Sequence, residues 1–445
     1  MSTLNSQMSP KGPTSGANTA IMPAKSPGRS GWWTKPLQAL AALGPFALVF
    51  GTYSIAVDHL SDDWFAADWI RYIFAVFCAL VVGLALRLLL QTGPAVRILH
   101  VAHPSAVSLL PGPPTHTTVH LADMMDVVRQ RLFKDYRIQR RNNVDVVGWS
   151  QFFGEDVPPS PIGSSYGLRI AMSLDIRDAR INRRGVVDSI LSQQRSGGGW
   201  ASSSQRDKGR PEVTAWVLAV LPAAGLDART VKQLVSTLEG MLHEGEDPVG
   251  MNSVTVVTTV VVTLATVAPQ SAKLAELATL LADSAIPSSG NSESQAWAAT
   301  LRNPQSHPSV PHTAQAVVAL HHAADVLPIQ SISLRRRAAE GTTWLLENFD
   351  LTFGEEQIRR PHLGDVDALY VGHFTAAWVA RALMLDGRHL TDPEPLTKAV
   401  RAILAQQDRG VWKWRDREPI WMAYQGISVL QKYILEHRTS PLSPP

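Results

Sequence analysis

Residues 190–200 read Ile190-Leu-Ser-Gln-Gln-Arg-Ser-Gly-Gly-Gly-Trp200, which has the composition of a helix end, a glycine turn and one large aromatic residue. A similar stretch returns near the other end of the chain as Ile403-Leu-Ala-Gln-Gln-Asp-Arg-Gly-Val-Trp412. Both contain Gln-x-x-x-Gly-x-Trp, formed by Gln194, Gly198 and Trp200 and by Gln406, Gly410 and Trp412. We expect each glutamine to donate to unpaired carbonyl groups at a helix end and each glycine to adopt the left-handed conformation. Each tryptophan then covers its turn with apolar surface.

The chain around these stretches repeats one unit, which is a helix, a polar loop rich in Gly, Pro and Ser, and a second, more apolar helix. The second helices open near Ser165, Thr214, Thr255, Thr313, Thr375 and Ala423. The first helices are predicted at Leu121–Ile138, Gly185–Gln194, Asp227–Leu242, Ala272–Ala282, Arg335–Glu347 and Leu396–Gln406, with Asp227 as an N-cap residue. Six consecutive helix pairs predict an (α/α)6 toroid whose second helices form the inner ring.

One segment of this repeat has conflicting signals. Val254–Val267 is dense in Val and Thr, and residue propensity alone predicts a strand there. Its place in the repeat instead predicts a buried inner helix. With 14 residues, the segment is too short to cross a membrane.

The Gln-x-x-x-Gly-x-Trp pattern resembles the QW motif of the squalene cyclase and prenyltransferase superfamily, and the resemblance covers roughly residues 120–436. It implies an all-α fold, an (α/α)6 toroid of the terpenoid cyclase and prenyltransferase type with a central ligand cavity. It also suggests a divergent bacterial member that is anchored to a membrane. The motif is specific for the fold and only weakly specific for chemistry, because its glutamine and tryptophan brace the outside of the barrel.

The first 120 residues differ in composition from the repeats. Residues 1–31, rich in Ser, Pro, Gly, Ala and Asn, predict a disordered arm, and the prolines within residues 95–120 predict a linker. Between them, at residues 32–94, the segments 36–57 and 69–90 are long and apolar enough to be two transmembrane helices, with Trp and Phe at their ends. A buried soluble hairpin is the alternative. The toroid then covers residues 121–437, and residues 438–445 are a disordered tail.

Charge predicts the orientation in the lipid bilayer. The connection between the two apolar segments holds four aspartates and no Lys or Arg, whereas basic residues flank the outer ends of the pair. The positive-inside rule therefore predicts a two-span protein of the cell membrane with both termini and the toroid in the cytoplasm. The net charge of +3 is too small to indicate nucleic acid as a partner. The single cysteine, Cys78, excludes a disulfide framework and any multi-cysteine metal site within this chain.

Candidate catalytic residues are expected at the starts of the inner helices. Class II terpene cyclases use an Asp-x-Asp-Asp acid, and the nearest sequence here is Asp365-Val-Asp367-Ala368, which lacks the paired acid. The candidate catalytic residues are Asp365, Asp367 and the nearby His373. The alternative for the two aspartates is that they stabilise a turn or cap a helix.

The protein prenyltransferases hold zinc with an aspartate, a cysteine and a histidine, and Cys78 lies in a predicted membrane span, so that triad cannot form. Glu212, His312 and His373 each lie at an inner-helix start and are expected to converge on the cavity mouth. Together with Asp365 and Asp367 they offer ligands of the type that metals accept, but their spacings match no ligand motif. We therefore predict no metal and no cofactor. Polar residues that are hydrogen-bonded at a wet rim are the alternative for all of these positions.

Aromatic residues are the remaining signal for a ligand. Trp216, Trp378 and Tyr424 fall on inner helices and are predicted to face the cavity, where cyclases use aromatic rings to stabilise cations. Core filling between the two rings is the alternative. The favoured function is a membrane-tethered cytoplasmic toroid that binds a hydrophobic isoprenoid or lipid, a peptide, or a protein partner, without the usual catalytic motifs. The rival function is a terpenoid cyclase-like or prenyltransferase-like enzyme that acts on a polyprenyl or triterpene substrate with a non-standard acid.

Overall fold

The structure, a computed structural model, describes residues 121–439 apart from 142–143, 206–207, 244–246, 289–290, 304 and 363–364. The predicted arm, both predicted membrane spans and the predicted linker lie outside the described residues, as do residues 440–445 of the predicted tail. Among the helices of the described part, none is both long and apolar enough to cross a membrane.

The described residues are mostly helical. In chain order the helices are α1 (Leu121–Lys134), α2 (Pro161–Ser173), α3 (Arg183–Ser192), α4 (Pro211–Leu218), α5 (Ala228–Gly240), α6 (Pro248–Met251), α7 (Val254–Val267), α8 (Ala272–Asp283), α9 (Val310–Val326), α10 (Ser331–Glu347), α11 (Thr375–Asp386), α12 (Glu394–Ala405) and α13 (Ile420–Thr439). A 3₁₀ turn lies at Arg388–Leu390. Helix α13 continues two residues beyond the predicted end of the toroid at residue 437.

Several helix starts follow directly from the sequence. Ser160, Asn182, Asp227, Ser253 and Ser271 each accept a hydrogen bond from the backbone N–H three residues further on. Each such cap satisfies one backbone donor that the helix leaves unpaired, and its loss typically costs about 1 kcal/mol. The predicted N-cap at Asp227 is confirmed.

Within the described residues, the inner helices α2, α4, α7, α9, α11 and α13 form a closed ring. Each contacts the next in this order, and α13 returns to contact α2. The outer helices lie against this ring: α1 contacts α2 and α13, α3 contacts α2, α5 contacts α4 and α7, α8 contacts α7 and α9, α10 contacts α9 and α11, and α12 contacts α11 and α13. The arrangement is a helical toroid of paired helices, as the repeat predicts.

Helix α7 shows why the repeat outweighs residue propensity. It spans Val254–Val267, the bounds predicted for a buried inner helix, and most of its Val and Thr side chains are buried. An inner helix packs on both sides, so apolar burial compensates for the poor helix propensity of β-branched residues. Ser253 caps its first turn, and Thr258 donates to the carbonyl of Val254 within the helix.

Tryptophans link the outer helices to the ring. Each of four tryptophans in the described residues donates its indole N–H to a carbonyl oxygen at the end of an outer helix: Trp149 to Leu132 at 2.7 Å, and Trp200 to Ile190, Trp297 to Leu281 and Trp412 to Ile403 at 2.8 Å each. Three of them also donate a backbone N–H to a hydroxyl on the next inner helix: Trp149 to Ser164, Trp200 to Thr214 and Trp297 to Thr313. All four rings are fully buried. Each tryptophan therefore satisfies a helix end and joins the two rings.

This geometry corrects the expected role of the glutamines. Gln194 and Gln406 are exposed, and the hydrogen bond to each helix end comes from the indole of Trp200 or Trp412. The neighbouring Gln193 donates to the carbonyl of Ser189 at 3.2 Å. The conformation predicted for the glycines is confirmed, because Gly198 and Gly410 have φ values of +89° and +84°.

Short antiparallel strand pairs interrupt the helices, so the predicted all-α class holds for the rings and not for their connections. The strands are β1 (Arg137–Arg141), β2 (Val144–Gly148), β3 (Phe152–Phe153), β4 (Ile286–Ser288), β5 (Asn291–Ala296), β6 (Gly354–His362), β7 (Asp365–His373), β8 (Gln407–Asp408), β9 (Val411–Trp412) and β10 (Glu418–Pro419). The pairs are β1 with β2, β3 with β10, β4 with β5, β6 with β7 and β8 with β9. The longest pair, β6–β7, leads directly into inner helix α11 and carries several of the polar residues of the candidate site.

Candidate functional site

The β6–β7 hairpin has one buried face and one exposed face. On β6 the buried face carries Ile358 and Arg360, while Glu355 and Arg359 are exposed. On β7 the buried face carries Asp367, Leu369, Val371 and His373. The alternation follows from the period of two in a strand, and the register pairs Arg360 with Asp367 and Ile358 with Leu369. The hairpin therefore turns charged as well as apolar side chains toward the toroid.

A buried ion cluster holds one end of this hairpin. Arg360 donates to both carboxylate oxygens of Glu212 at 3.1 and 2.9 Å, and to Asp247 at 2.7–3.0 Å. Gln205 donates a further bond to Glu212 at 2.8 Å. Glu212 lies in the first turn of α4, and its side chain is 0% exposed. Although burial opposes the charged form, the hydrogen bonds and charges of the two carboxylates raise the pKa of Arg360. The Glu212 side chain is therefore fully engaged in an ion cluster and does not line the cavity described below.

A second ion pair holds the returning strand. Asp367 accepts a hydrogen bond from Arg210, which lies immediately before α4, and the Asp367 carboxyl is buried. Asp367 thus pairs with a cation, and no second carboxyl group among the described side chains shares a proton with it. The side chain of Asp365 lies outside the described residues.

A cluster of two histidines and one glutamate lies at the other end of the hairpin. His312 in the first turn of α9 and His373 at the end of β7 have ring centroids 4.9 Å apart. His312 Nε2 lies 3.1 Å from Glu356 Oε2, and His373 Nε2 lies 3.4 Å from Glu356 Oε1. Burial opposes the charge of Glu356, but the hydrogen bond with His312 and the nearby imidazole of His373 hold its pKa below the ordinary value. Burial lowers the pKa of His373, and Glu356 partly offsets this. The predicted convergence of His312 and His373 is therefore present, with Glu356 in place of Glu212.

A central cavity of about 130 Å³ lies between the inner helices and strand β7. Many of the side chains that line the cavity are aromatic or carry a hydroxyl group. The lining residues include Tyr166, Arg169, Trp216, Thr255, Thr259, Gln315, His373, Trp378, Arg381, Trp414, Trp421, Tyr424 and Gln425. No Asp or Glu side chain is among the described residues that line it. The cavity is therefore bordered by cations and neutral groups.

Its two arginines lie on α2 and α11, which are separated in the ring only by α13. Arg169 of α2 donates to the backbone carbonyl of Trp216 at 2.7 Å, and its guanidinium lies 5.4 Å from the ring centroids of Tyr166 and Tyr424. Arg381 of α11 lies over the ring of Trp378 at 4.8 Å. Aromatic faces stabilise a guanidinium without neutralising it. The pair thus contributes two positive charges to a partly enclosed aromatic space.

The pKa values of the two tyrosines depend on burial and on the charges of these arginines. Burial raises the pKa of Tyr166, and the charge of Arg169 only partly opposes the effect. For Tyr424, burial is again the largest influence and acts upward, but the charges of Arg169 and Arg381 and a hydrogen bond from Arg169 together lower its pKa. Burial and the nearby Arg169 also lower the pKa of Arg381. The lowered pKa of Tyr424 reflects the positive charge of the two arginines, whereas the raised pKa of Tyr166 and the lowered pKa of Arg381 reflect mainly their burial.

The sequence-predicted residues separate into two groups. Trp216, Trp378, Tyr424 and His373 line the cavity. Glu212, Asp367 and His312 belong to the polar clusters that hold the β6–β7 hairpin.

Sequence reasoning missed Arg169, Arg381 and Glu356. Both arginines lie inside apolar inner-helix segments, which was a usable signal, because a charge on a fully packed helix requires a partner or a cavity. Glu356 lies in an alternating strand pattern at residues 354–360 that a search for helical repeats overlooks.

No protein-family model and no curated protein matches the sequence. Among solved structures, the chain is similar to a glycoside hydrolase family 76 mannosidase from Bacteroides thetaiotaomicron VPI-5482, with a TM-score of 0.46 and 9% sequence identity. The match covers 72% of this chain and 100% of that chain. The likeness concerns the helical toroid fold, and the assignment to the squalene cyclase and prenyltransferase superfamily stays a prediction.

Proposed function

We propose that this protein is a ligand-binding toroid whose central cavity receives the anionic head group of an isoprenoid or lipid. The observation that carries the proposal is the presence of Arg169 and Arg381 among aromatic rings, with no carboxylate among the described lining residues. A phosphate or carboxylate would neutralise the two guanidinium groups and accept their hydrogen bonds. The rings of Trp216 and Trp378 would contact the adjoining apolar part.

The cavity volume limits what can enter. About 130 Å³ is close to the roughly 150 Å³ of a cavity that holds one benzene molecule. A head group with its first few carbon atoms fits this space, whereas a complete triterpene does not. The remainder of a long ligand would leave the cavity toward solvent or membrane. The predicted membrane spans at 36–57 and 69–90, which lie outside the described residues, would keep the toroid beside such ligands at the cytoplasmic face.

The test separates the anion from the apolar chain. Full-length protein in detergent is titrated with geranyl diphosphate, with geraniol and with inorganic diphosphate, and binding is followed by calorimetry and tryptophan fluorescence. We expect geranyl diphosphate to bind most tightly. Arg381→Gln should weaken this binding by about 10- to 100-fold, since a hydrogen bond to a charged group contributes about 1.5–3 kcal/mol. Arg401→Gln, at an exposed position of α12, is the matched control. Equal affinity for geraniol, or equal behaviour of the two variants, would contradict the proposal.

The enzyme alternative rests on His373, which borders the cavity and whose pKa is lowered by burial. A neutral imidazole serves as a base and not as the strong acid that alkene protonation requires. Incubation with squalene and prenyl diphosphates tests this alternative. Product formed by the wild type and lost in His373→Asn, or in Asp365→Ala/Asp367→Ala, would favour an enzyme over a binding module.

A further inference from the structure

The cluster of His312, Glu356 and His373 has unsatisfied hydrogen-bonding atoms at its centre. Glu356 Oε1 and His373 Nε2 are buried and lack a hydrogen-bond partner, and they face each other at 3.4 Å. The His373 side chain is 2% exposed, so solvent does not compensate for the missing bond. Buried polar atoms without partners are rare in folded proteins and call for an explanation. A bound cation would satisfy both atoms at once.

The distances fit a small coordination sphere. The candidate ligand atoms, one from each residue, all lie within 4.8 Å of one another. Tetrahedral zinc with bonds of roughly 2.0–2.1 Å requires ligand atoms roughly 3.3 Å apart. His312 Nε2 lies 3.1 Å from Oε2 of Glu356 and His373 Nε2 lies 3.4 Å from Oε1, so each imidazole nitrogen lies near that distance from one of the two carboxylate oxygens. Because the two distances involve different oxygens, Glu356 can bind such an ion through either oxygen or through both.

The outer nitrogen of each imidazole is also held. His312 Nδ1 lies 2.6 Å from the hydroxyl of Ser309, and His373 Nδ1 lies 2.9 Å from the side-chain amide of Gln315. The oxygen of the Gln315 amide lies at the hydroxyl of Thr255. Since a hydroxyl can donate or accept a hydrogen bond, the Gln315 amide can turn either its nitrogen or its oxygen toward the His373 ring. Such partners fix the orientation of metal-ligating histidines and leave Nε2 directed at the ion.

We propose that His312, Glu356 and His373 form a binding site for a divalent transition metal of the zinc type. Two imidazoles and one carboxylate suit zinc, cobalt, nickel or ferrous iron, and disfavour magnesium and calcium, which prefer oxygen ligands. Three protein ligands leave one coordination position for water or another donor. The ion would join α9 to both strands of the hairpin and would convert a cluster with unpaired atoms into a closed one. The argument for this site does not use the anionic ligand, although His373 also lines the cavity.

The experiment uses cobalt(II) as a spectroscopic probe on full-length protein freed of metal with a chelator. One equivalent of cobalt(II) should produce the intense visible absorption of a four-coordinate site, and zinc should remove it by competition. His312→Gln and Glu356→Gln should abolish the absorption. Ser309→Ala, which removes only an outer partner, should weaken binding by about 10- to 100-fold.

His389→Gln is the matched control. His389 is a buried histidine whose Nε2 lies 3.4 Å from Glu436, and no third ligand for it is found among the described residues. This variant should retain full cobalt binding. Circular dichroism and the thermal midpoint of metal-free Glu356→Gln, which keeps the shape of the carboxylate, separate loss of ligation from loss of folding. The proposal is overturned if the wild type gives no such spectrum, or if binding survives in folded His312→Gln and Glu356→Gln proteins.

Discussion

Replacement of Arg360 by methionine tests whether the β6–β7 hairpin is held by its buried ion cluster. In the native protein the Arg360 guanidinium bonds to Glu212 and Asp247 at once, and the exposed fractions of these three side chains are 4%, 0% and 7%. Methionine matches the aliphatic part of arginine but lacks the guanidinium group. The substitution therefore removes the charge and all of its hydrogen bonds to Glu212 and Asp247.

The expected loss in the free energy of unfolding depends on the two carboxylates that stay buried without their cation. Removing one partner of a buried ion pair typically costs about 3–5 kcal/mol, because the other charge stays in a poorly solvated place. Here two carboxylates lose one shared cation, so we expect a value toward the upper end of that range. Domains of this kind have total stabilities of about 5–15 kcal/mol, so the loss is a large fraction of the whole. Relaxation of the hairpin toward solvent would limit the cost by rehydrating the carboxylates.

Urea unfolding of the full chain, followed by tryptophan fluorescence, measures this cost. Arg359→Met is the control, since Arg359 lies next to Arg360 on the exposed face of β6, and it should change stability by about 0.5 kcal/mol or less. The triple variant Arg360→Met/Glu212→Gln/Asp247→Asn should recover part of the loss, because it leaves no buried charge in this cluster. If Arg360→Met costs no more than Arg359→Met, the cluster does not hold the hairpin and the reasoning is wrong.

Three further predictions concern the rings. Trp297→Phe should cost about 2–4 kcal/mol in urea unfolding, because the carbonyl of Leu281 loses its buried donor and a small void opens. Gly426→Ala should destabilise by about 1–3 kcal/mol, since the added methyl group overlaps the ring of Trp412, whereas Gly240→Ala, with no described atom within 4 Å of the new methyl, should be neutral or stabilising. Burial, aided by the charge of Arg381, lowers the pKa of His322 to about 4 from 6.5, so His322 should contribute an increasing loss of stability between pH 6.5 and 4. That loss, roughly 3 kcal/mol at most, should disappear in His322→Gln when pH-dependent unfolding of the two proteins is compared.

The helical repeat was predictable because the spacing of apolar residues and the regular order of the helix pairs are visible in the sequence. Helix α7 has the predicted bounds although its Val and Thr residues favour a strand. The inner helices are apolar all round because each packs between neighbours, and this leaves a pattern that a single chain displays directly. Only two of the four tryptophans that join the rings were predictable. The Gln-x-x-x-Gly-x-Trp pattern contains Trp200 and Trp412 but not Trp149 or Trp297. The feature common to these joints is the indole bond to the preceding helix end.

The β6–β7 hairpin was not predicted, although Gly364-Asp365 is a typical turn sequence at the junction of its two strands. Residues 354–360 alternate between inward and outward side chains, but the inward set includes Glu356 and Arg360, which a search for apolar alternation rejects. Their burial depends on partners distant in the sequence, such as Glu212 and His312. Long-range ion pairing of this kind leaves no local pattern, so the candidate site was predictable in its aromatic residues and not in its charges.

Some buried charges of the described domain stabilise the fold and others face the ligand cavity. The two roles can therefore be tested by different substitutions. Acids near the inner-helix starts are already paired: Glu212 with Arg360, and Asp367 with Arg210. Arg169 and Arg381 lie further along their helices and face a cavity without a described carboxylate. Neutralising Glu212 should therefore reduce stability and leave ligand affinity nearly unchanged in the protein that remains folded. Neutralising Arg381 should do the opposite, since removal of a desolvated cation that has no acidic partner among the described residues relieves a cost of folding while it removes the attraction for an anion. A variant of Arg381 that loses stability as much as affinity would show that this guanidinium serves the fold, and the proposed ligand would then lose its main support.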